Sequence, residues 1–204
     1  MDPTFNPQND RYIRFETDSD EEKDAADARP EYVPRSKHPQ SAMFLGAVAS
    51  TGEVSPPIWF ETGFKLGADR YILELEKTLI PWMKRVAHAH GPSAASSAHF
   101  VFQQDGAPAH RARKTVAFLK DKNIKFWTPE MWPPNSPDLN PLDYGIWSMV
   151  ARGAVSERPP SVTALKSRVN AYWRSMEPEQ IRAVCRRFRH RLEKCVAKKG
   201  SYFD

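Results

Sequence analysis

Two aspartates, Asp105 and Asp143, stand in segments whose local chemistry suits holding a carboxylate in one place, with 37 residues between them. Asp105 ends the apolar run HFVFQQ and is followed at once by Gly106-Ala107-Pro108, which breaks a strand. An acid so placed projects beyond the carboxyl edge of a sheet, where open α/β folds bind their ligands. Asp143 follows Asn140-Pro141 at the expected start of a helix, where the helix dipole favours a negative charge. Two converging carboxylates are hard oxygen ligands for Mg²⁺ or Mn²⁺. Ions held there activate a water or hydroxyl and stabilise a leaving phosphate oxygen. A plainer reading is also open: Asp105 as a turn residue, with Asp138 and Asp143 as helix caps.

The elements that must position these acids follow from hydrophobic period. Residues 41–63 (SAMFLGAVASTGEVSPPIWFETG) hold two apolar runs around a Ser-Thr-Gly turn, a hairpin with a buried first strand. Over 68–91 the period changes: Tyr71, Leu75, Leu79 and Met83 fall at i, i+4 spacing, which predicts an amphipathic helix bent or interrupted at Pro81. The stretch RARKTVAFLKDKN (111–123) predicts a helix with Val116, Leu119 and Phe118 inward, and IKFW (124–127) a short strand. A helix starts near Leu142 and carries Tyr144, Ile146, Trp147 and Val150. Two more follow, the first capped by Ser161, the second with Pro178 in its first turn and Gly200 at its end. Upstream, YIRF (12–15) is strand-like, and 18–37 is charged and punctuated by proline, as a surface excursion would be. The order is an α/β pattern.

Composition narrows the class. A chain of 204 residues is long enough for one substantial domain, and 18 prolines with 40% hydrophobic residues imply irregular stretches. No apolar run approaches ~20 residues, so no membrane span is expected, and Met1-Asp2-Pro3 has none of the features of a secretory signal. Cys185 and Cys195 read as two reduced thiols of an intracellular protein. Charge is asymmetric: residues 1–34 carry ten acids against four bases, net −6, and residues 35–204 carry 26 bases against 15 acids, net +11. A basic body suits a polyanionic partner, and equally a solvated basic surface.

The paired segments FQQDGAPAH (102–110) and WPPNSPDLNPLDYGIW (132–147) resemble the second and third acid motifs of the DDE/DDD transposases of the mariner superfamily. The resemblance extends upstream through FNPQNDRY and SAMFLGAVASTGEVSPPIWF and downstream through SVTALKSRVNAYW, so it covers most of the chain. It implies an RNase H-like fold, a mixed sheet flanked by helices. Residues 1–40 then form a charged, partly irregular segment, 41–155 the catalytic core, and 156–204 a basic helical carboxyl-terminal part of the same domain. Residue by residue, Asp105 matches the second catalytic, metal-binding acid and Asp143 the third, and His110 the recurring histidine after the second acid. Asp138 matches the acid that shapes the SPDLNP loop. The implied cofactor is Mg²⁺ or Mn²⁺. The implied partners are DNA and a second copy or other transposase subunits, with no membrane and a nuclear location.

In one respect the sequence departs from the family. The first catalytic acid belongs on the central strand, in a segment like (S/G)-D-E-(K/S)-x-F, and nothing here matches it. Asp2, Asp10 and the acids at 18–27 sit in turn or charged-loop context. The expectation is an amino-terminally truncated copy without the first central strand and without the paired helix-turn-helix domains. MFLGAV would then keep an unpaired edge, and strand transfer would be lost for want of one acid. A second reading is a host-retained DNA- or protein-binding module using the basic carboxyl-terminal helices, and a third is the inert product of a decayed element.

Other residues carry two readings each. His110 orients a phosphate or an acid, or packs locally. Arg186, Arg187, Arg189 and Lys194 track a nucleic-acid backbone, or form a solvated face. Trp127, Trp132, Trp147 and Trp173 read as core rather than base-stacking surfaces, and His88 and His90 as surface residues.

Overall fold

The computed structural model describes residues 42–90, 100–133, 136–154 and 159–200, all within one compact unit beginning at Ala42. The strand-like 12–15 and the charged stretch 18–37 lie outside the described residues, as do residues 91–99.

The hairpin forms as its pattern predicts, with short strands. β1 (Met43–Leu45) pairs antiparallel with β2 (Ile58–Phe60), and Val48 bridges Val54 closer to the turn. The first strand is half-buried rather than buried. HFVFQQ and IKFW meet as a single parallel bridge, Phe102 to Phe126, so the pairing is mixed but the sheet is small. Prolines 56 and 57 explain part of this, since neither has an N–H to give a ladder.

Alternation along β1 sends side chains to two different cores. Leu45, Ala47 and Ala49 pack on a cluster built from Tyr71, Leu75, Leu79, Met83, Leu119 and Ile124. Phe44, Val48 and Val54 pack on a second, made of Ile146, Val150, Val169, Trp173 and Ile181. Gly46 is required where β1 crosses the second cluster, because a Cβ there would stand 2.8 Å from the Trp173 ring. A third cluster joins Trp132 and Leu139 to Trp127, Phe188 and Leu192. The tryptophans are thus core residues. Helices cover both faces of the hairpin, the layering of an α/β domain.

The first-face helix runs as α1 (Ala68–Glu74), a π turn (Leu75–Leu79) and α2 (Ile80–Ala89). Tyr71, Leu75, Leu79 and Met83 are all buried, as their spacing predicts. Pro81 does not end the helix. It lacks an N–H for the preceding turn, and the wider turn just before it, closed by Ile80 N–H on the Leu75 carbonyl, absorbs the mismatch. After the strand come α3 (Pro108–Arg111) and α4 (Arg113–Asp121), separated by an extended Ala112. Leu119 faces inward and Val116 and Phe118 are half-buried, but the second fully buried position of α4 is Thr115. A hydroxyl is tolerated there because it donates to the Ala109 carbonyl at 2.8 Å.

A 3₁₀ turn (Pro137–Leu139) and a second π turn (Leu142–Ile146) lead into α5 (Trp147–Ala154). α6 (Val162–Ser175) begins where Ser161 Oγ accepts the Ala164 N–H at 3.1 Å, and α7 (Pro178–Ala197) opens on its proline. Gly200 ends α7 with φ +80°, its N–H on the Cys195 carbonyl. Cys185 and Cys195 are free thiols. Among the described residues no helix is long and apolar enough to cross a membrane.

Backbone pairing leaves two edges facing one cleft. Ser55 N–H donates to the Ala47 carbonyl and Ala49 N–H to Glu53, each at 2.8 Å, so alternation turns the peptide groups of Gly46 and Val48 the other way. Phe102 spends both its groups on Lys125 and Trp127, which turns those of Val101 and Gln103 away from that bridge. All four residues line the same cleft of about 640 Å³. Among the described residues neither edge has a backbone partner on this side.

Candidate active site at the end of the Phe102 strand

Asp105 and Asp143 both line this cleft, together with His110 and Asn140. Gln104 lies two residues past the Phe102–Phe126 bridge and Gly106 leads the chain into α3, so Asp105 falls just beyond the bridge. Its Oδ1 accepts two hydrogen bonds, from Ala107 N–H at 2.9 Å and from His110 Nδ1 at 2.6 Å. The histidine beside it, then the Ala107 amide, hold the Asp105 carboxyl below the usual aspartate range against the opposing effect of burial.

Asp143 is set by a different device. Asn140 receives the Leu142 N–H on its side-chain oxygen at 3.2 Å, and its amide donates to Asp143 Oδ2 at 2.9 Å. The Asn-Pro dipeptide thus caps the π turn and orients the acid in its first turn. Partial enclosure raises the Asp143 carboxyl above the usual range, the Asn140 amide opposes this, and the negative charge of Asp105 adds to the rise. The two acids are thus shifted in opposite directions.

A layer behind the acids fixes their surroundings. The Tyr71 ring lies 4.4 Å from the His110 ring, and its hydroxyl donates to Gln104 Oε1 at 2.7 Å. Burial pushes the Tyr71 phenol far up, so it is a neutral donor at any working pH. Gln103 donates to the Leu139 carbonyl at 3.2 Å, tying the strand to the SPDLNP loop. Asp138 points away from the cleft partners: its carbonyl and carboxylate are taken by Arg191 of α7, whose guanidinium also lies 4.7 Å over the Tyr144 ring. That is the geometry of a loop-shaping acid.

The fit to a divalent ion is partial. Two carboxylates bordering one cleft, one of them raised by enclosure and by the other's charge, are the donor chemistry a hard cation relieves. Among the described residues no group of three His, Cys, Asp or Glu side chains gathers at one point. Tyr71, Gln104 and Asn140 escaped the sequence reading as site residues. Tyr71 was absorbed into the apolar stripe of α1, and only the Asn-Pro turn signal pointed to Asn140.

The basic residues of α7 are partly engaged with its own acids. Arg182 and Arg186 both reach Glu179, the first at 2.8 Å, and Arg189 reaches Glu193 at 3.0 Å. Arg187 and Lys194 are exposed.

Helices on both faces of the hairpin and an acid just past the Phe102–Phe126 bridge fit one class, an RNase H-like fold, and the solved structures it superposes on share that layout. The Mos1 transposase catalytic domain superposes with a TM-score of 0.66 at 24% identity, covering 80% of this chain and 76% of that one. A pre-cleavage Mos1 transpososome gives 0.71 at 21% identity over 94% of this chain and 53% of that one. In sequence the chain is 31% identical over 104 residues to the Tc3 transposase of Caenorhabditis elegans, covering 50% of this chain and 30% of that protein. It is 28% identical over 104 residues to the mariner Mos1 transposase of Drosophila mauritiana, covering 51% and 29%. No protein-family model matches the sequence. The chain is thus similar to mariner-type transposases in sequence and shares the fold of their catalytic domain, and it spans less than half the length of each of these curated relatives.

Proposed function

We propose that this domain handles DNA through a divalent-metal site built on Asp105 and Asp143. The observation that carries the reading is their arrival at one cleft from 37 residues apart in sequence, each held by hydrogen bonds from its own neighbours. Bound Mg²⁺ or Mn²⁺ supplies the polarisation of a phosphodiester and an activated water or hydroxyl. The chain's own residues do the rest: Asp105 and Asp143 hold the ion, and Asn140 and His110 orient the two acids. Two structures of the Mos1 catalytic domain, with raltegravir, contain Mg and Mn respectively, and others show that protein in paired-end complexes with transposon-end DNA. For this chain the corresponding partners are DNA and a second transposase subunit, in the nucleus.

The described residues supply two acids where two-metal chemistry holds its ions ~3.5–4 Å apart with more. On this reading these two acids suffice to hold an ion but not, as a pair, to carry out strand transfer, and inactivity in that reaction is the expectation. The test is Mn²⁺ titration of the purified protein beside a supercoiled-plasmid nicking assay and a strand-transfer assay. Metal binding lost in Asp105→Ala and Asp143→Ala, without strand transfer, is the expected result. Strand transfer by the unmodified chain overturns the inactivity, and metal binding indifferent to both variants overturns the site. The alternative, a DNA-binding module resting on α7, is weakened by the ion pairs that occupy Arg182, Arg186 and Arg189.

A further inference from the structure

We infer that His110 is a positioning residue for Asp105, locking the carboxylate through one oxygen so that the other, Oδ2, is the one presented to the cleft. The inference rests on the metal-site reading and assigns His110 a role within the site rather than on the DNA backbone. Four observations carry it.

First, both hydrogen bonds to Asp105 land on Oδ1, from Ala107 N–H and His110 Nδ1, and they converge from the chain just after the acid. An ionised carboxylate only accepts, so Nδ1 carries the proton of that contact and Nε2 is the remaining ring nitrogen. Second, the ring has little freedom. The His110 side chain is 13% exposed where Asp105 is 44% exposed, and the Tyr71 ring covers it at 4.4 Å. Third, Tyr71 is itself fixed: it is 1% exposed and bonded to Gln104, the residue before Asp105. The clamp therefore closes on both sides of the acid, one arm through the histidine and one through the strand. Fourth, the short turn bearing His110 is pinned from below. His110 N–H returns to the Ala107 carbonyl at 2.9 Å, and the buried Thr115 hydroxyl holds the Ala109 carbonyl at 2.8 Å. A polar group buried with its partner satisfied resists displacement.

Two movable parts of the site are thus removed. Asp105 cannot turn about its Cα–Cβ bond without losing two hydrogen bonds. It offers one oxygen rather than two, as a single-point ligand. Partners that orient a metal ligand in this way are worth about 10–100-fold in metal affinity when removed.

The experiment separates packing from hydrogen bonding with two variants of the full chain. His110→Phe keeps a ring under Tyr71 and removes the Nδ1 donor. His110→Asn gives up the ring and keeps a donor near the Nδ1 position. Mn²⁺ affinity is read by calorimetry, with Asp105→Ala as the reference. The Asp105 χ1 rotamer distribution is read from three-bond NMR couplings in metal-free protein. The expected result is about a tenfold or greater loss of Mn²⁺ affinity in His110→Phe, restoration to within about threefold in His110→Asn, and a rotamer that is single in the parent and averaged in His110→Phe. A single, unchanged Asp105 rotamer in His110→Phe overturns the inference, as does parent-like affinity in that variant. If Asp105→Ala leaves Mn²⁺ binding unchanged, the metal-site reading falls, and the rotamer still decides whether His110 positions the acid.

Discussion

The indole N–H of Trp173, on α6, donates to the carbonyl of Ser55, in the hairpin, at 2.8 Å across 118 residues of sequence. Trp173 is fully buried, stacks against Trp147 and meets the Phe44 ring edge-on, so one side chain joins the carboxyl-terminal helices to the sheet. Trp173→Ala is expected to cost about 3–5 kcal/mol, the usual range for emptying a large aromatic site. Trp173→Phe should cost less but leave the Ser55 carbonyl without its donor, a penalty of about 1–3 kcal/mol. Chemical denaturation followed by tryptophan fluorescence and circular dichroism measures both. A loss below ~1 kcal/mol for the alanine variant would show that α6 and the hairpin are not one cooperative unit.

Two glycines mark places where the packing has no spare volume. A Cβ at Gly145 would stand 2.6 Å from Val184 Cγ1, and one at Gly153 only 1.8 Å from the Tyr172 ring. Gly145→Ala and Gly153→Ala should each destabilise by about 1–3 kcal/mol, because overpacking outweighs alanine's better helix propensity. Gly67, with open space around it, is the control that should lose nothing to crowding.

The opposite shifts of the two acids predict opposite stability effects. Asp105 has a lowered carboxyl value, so its contribution is present above the ordinary unfolded value of ~3.9 and is lost as pH falls through the folded one. Asp143 has a raised value, so its charge penalises the fold above that value, and the penalty disappears as pH falls. Metal-free, Asp105→Asn should therefore destabilise at pH 7 by an amount that shrinks below pH ~4, and Asp143→Asn should be neutral or stabilising at pH 7. The exposed position of Asp105 keeps its effect to about 1 kcal/mol. Urea titrations at pH 7 and pH 4 read this, and equal signs for the two variants at pH 7 would contradict it.

On the alternative reading, a DNA-binding module resting on α7, phosphates meet the charges that the helix's own acids do not occupy. Arg187→Ala should weaken binding to duplex DNA and reduce the slope of log Kd against log salt by about 0.9. Glu179→Gln releases Arg182 and Arg186 from their pairing and should tighten binding at low salt. Fluorescence anisotropy over a salt series distinguishes these. No change in slope with either variant would place α7 away from the nucleic acid.

The sequence revealed the helices and the acids more fully than the network around them. The stripe Tyr71, Leu75, Leu79, Met83 and the caps at Ser161 and Pro178 are local signals, and the structure follows them. The RNase H-like layering was legible through the motifs around Asp105 and Asp143. The strand content was not, because pairing is decided between segments, and HFVFQQ and IKFW meet at one bridge. Thr115 was hidden because its burial depends on a carbonyl six residues back, which no hydrophobic period encodes. Tyr71 shows the same limit in the other direction. Its ring obeys the helical stripe, while its hydroxyl serves Gln104, on a strand 33 residues away.

The π turn at Leu142–Ile146 separates two demands that a regular helix would couple. Asp143 sits at its start and the core positions Ile146 and Val150 follow it, with Trp147 N–H reaching back five residues to Leu142. One residue more per turn rotates everything downstream by about 100° relative to the acid. The turn thus acts as a phase shifter between a segment that answers to the cleft and one that answers to the core. Sequence changes in α5 can retune its packing without re-aiming the carboxylate, but a one-residue deletion within the turn would bring the two back into fixed phase and swing Asp143 off its mark.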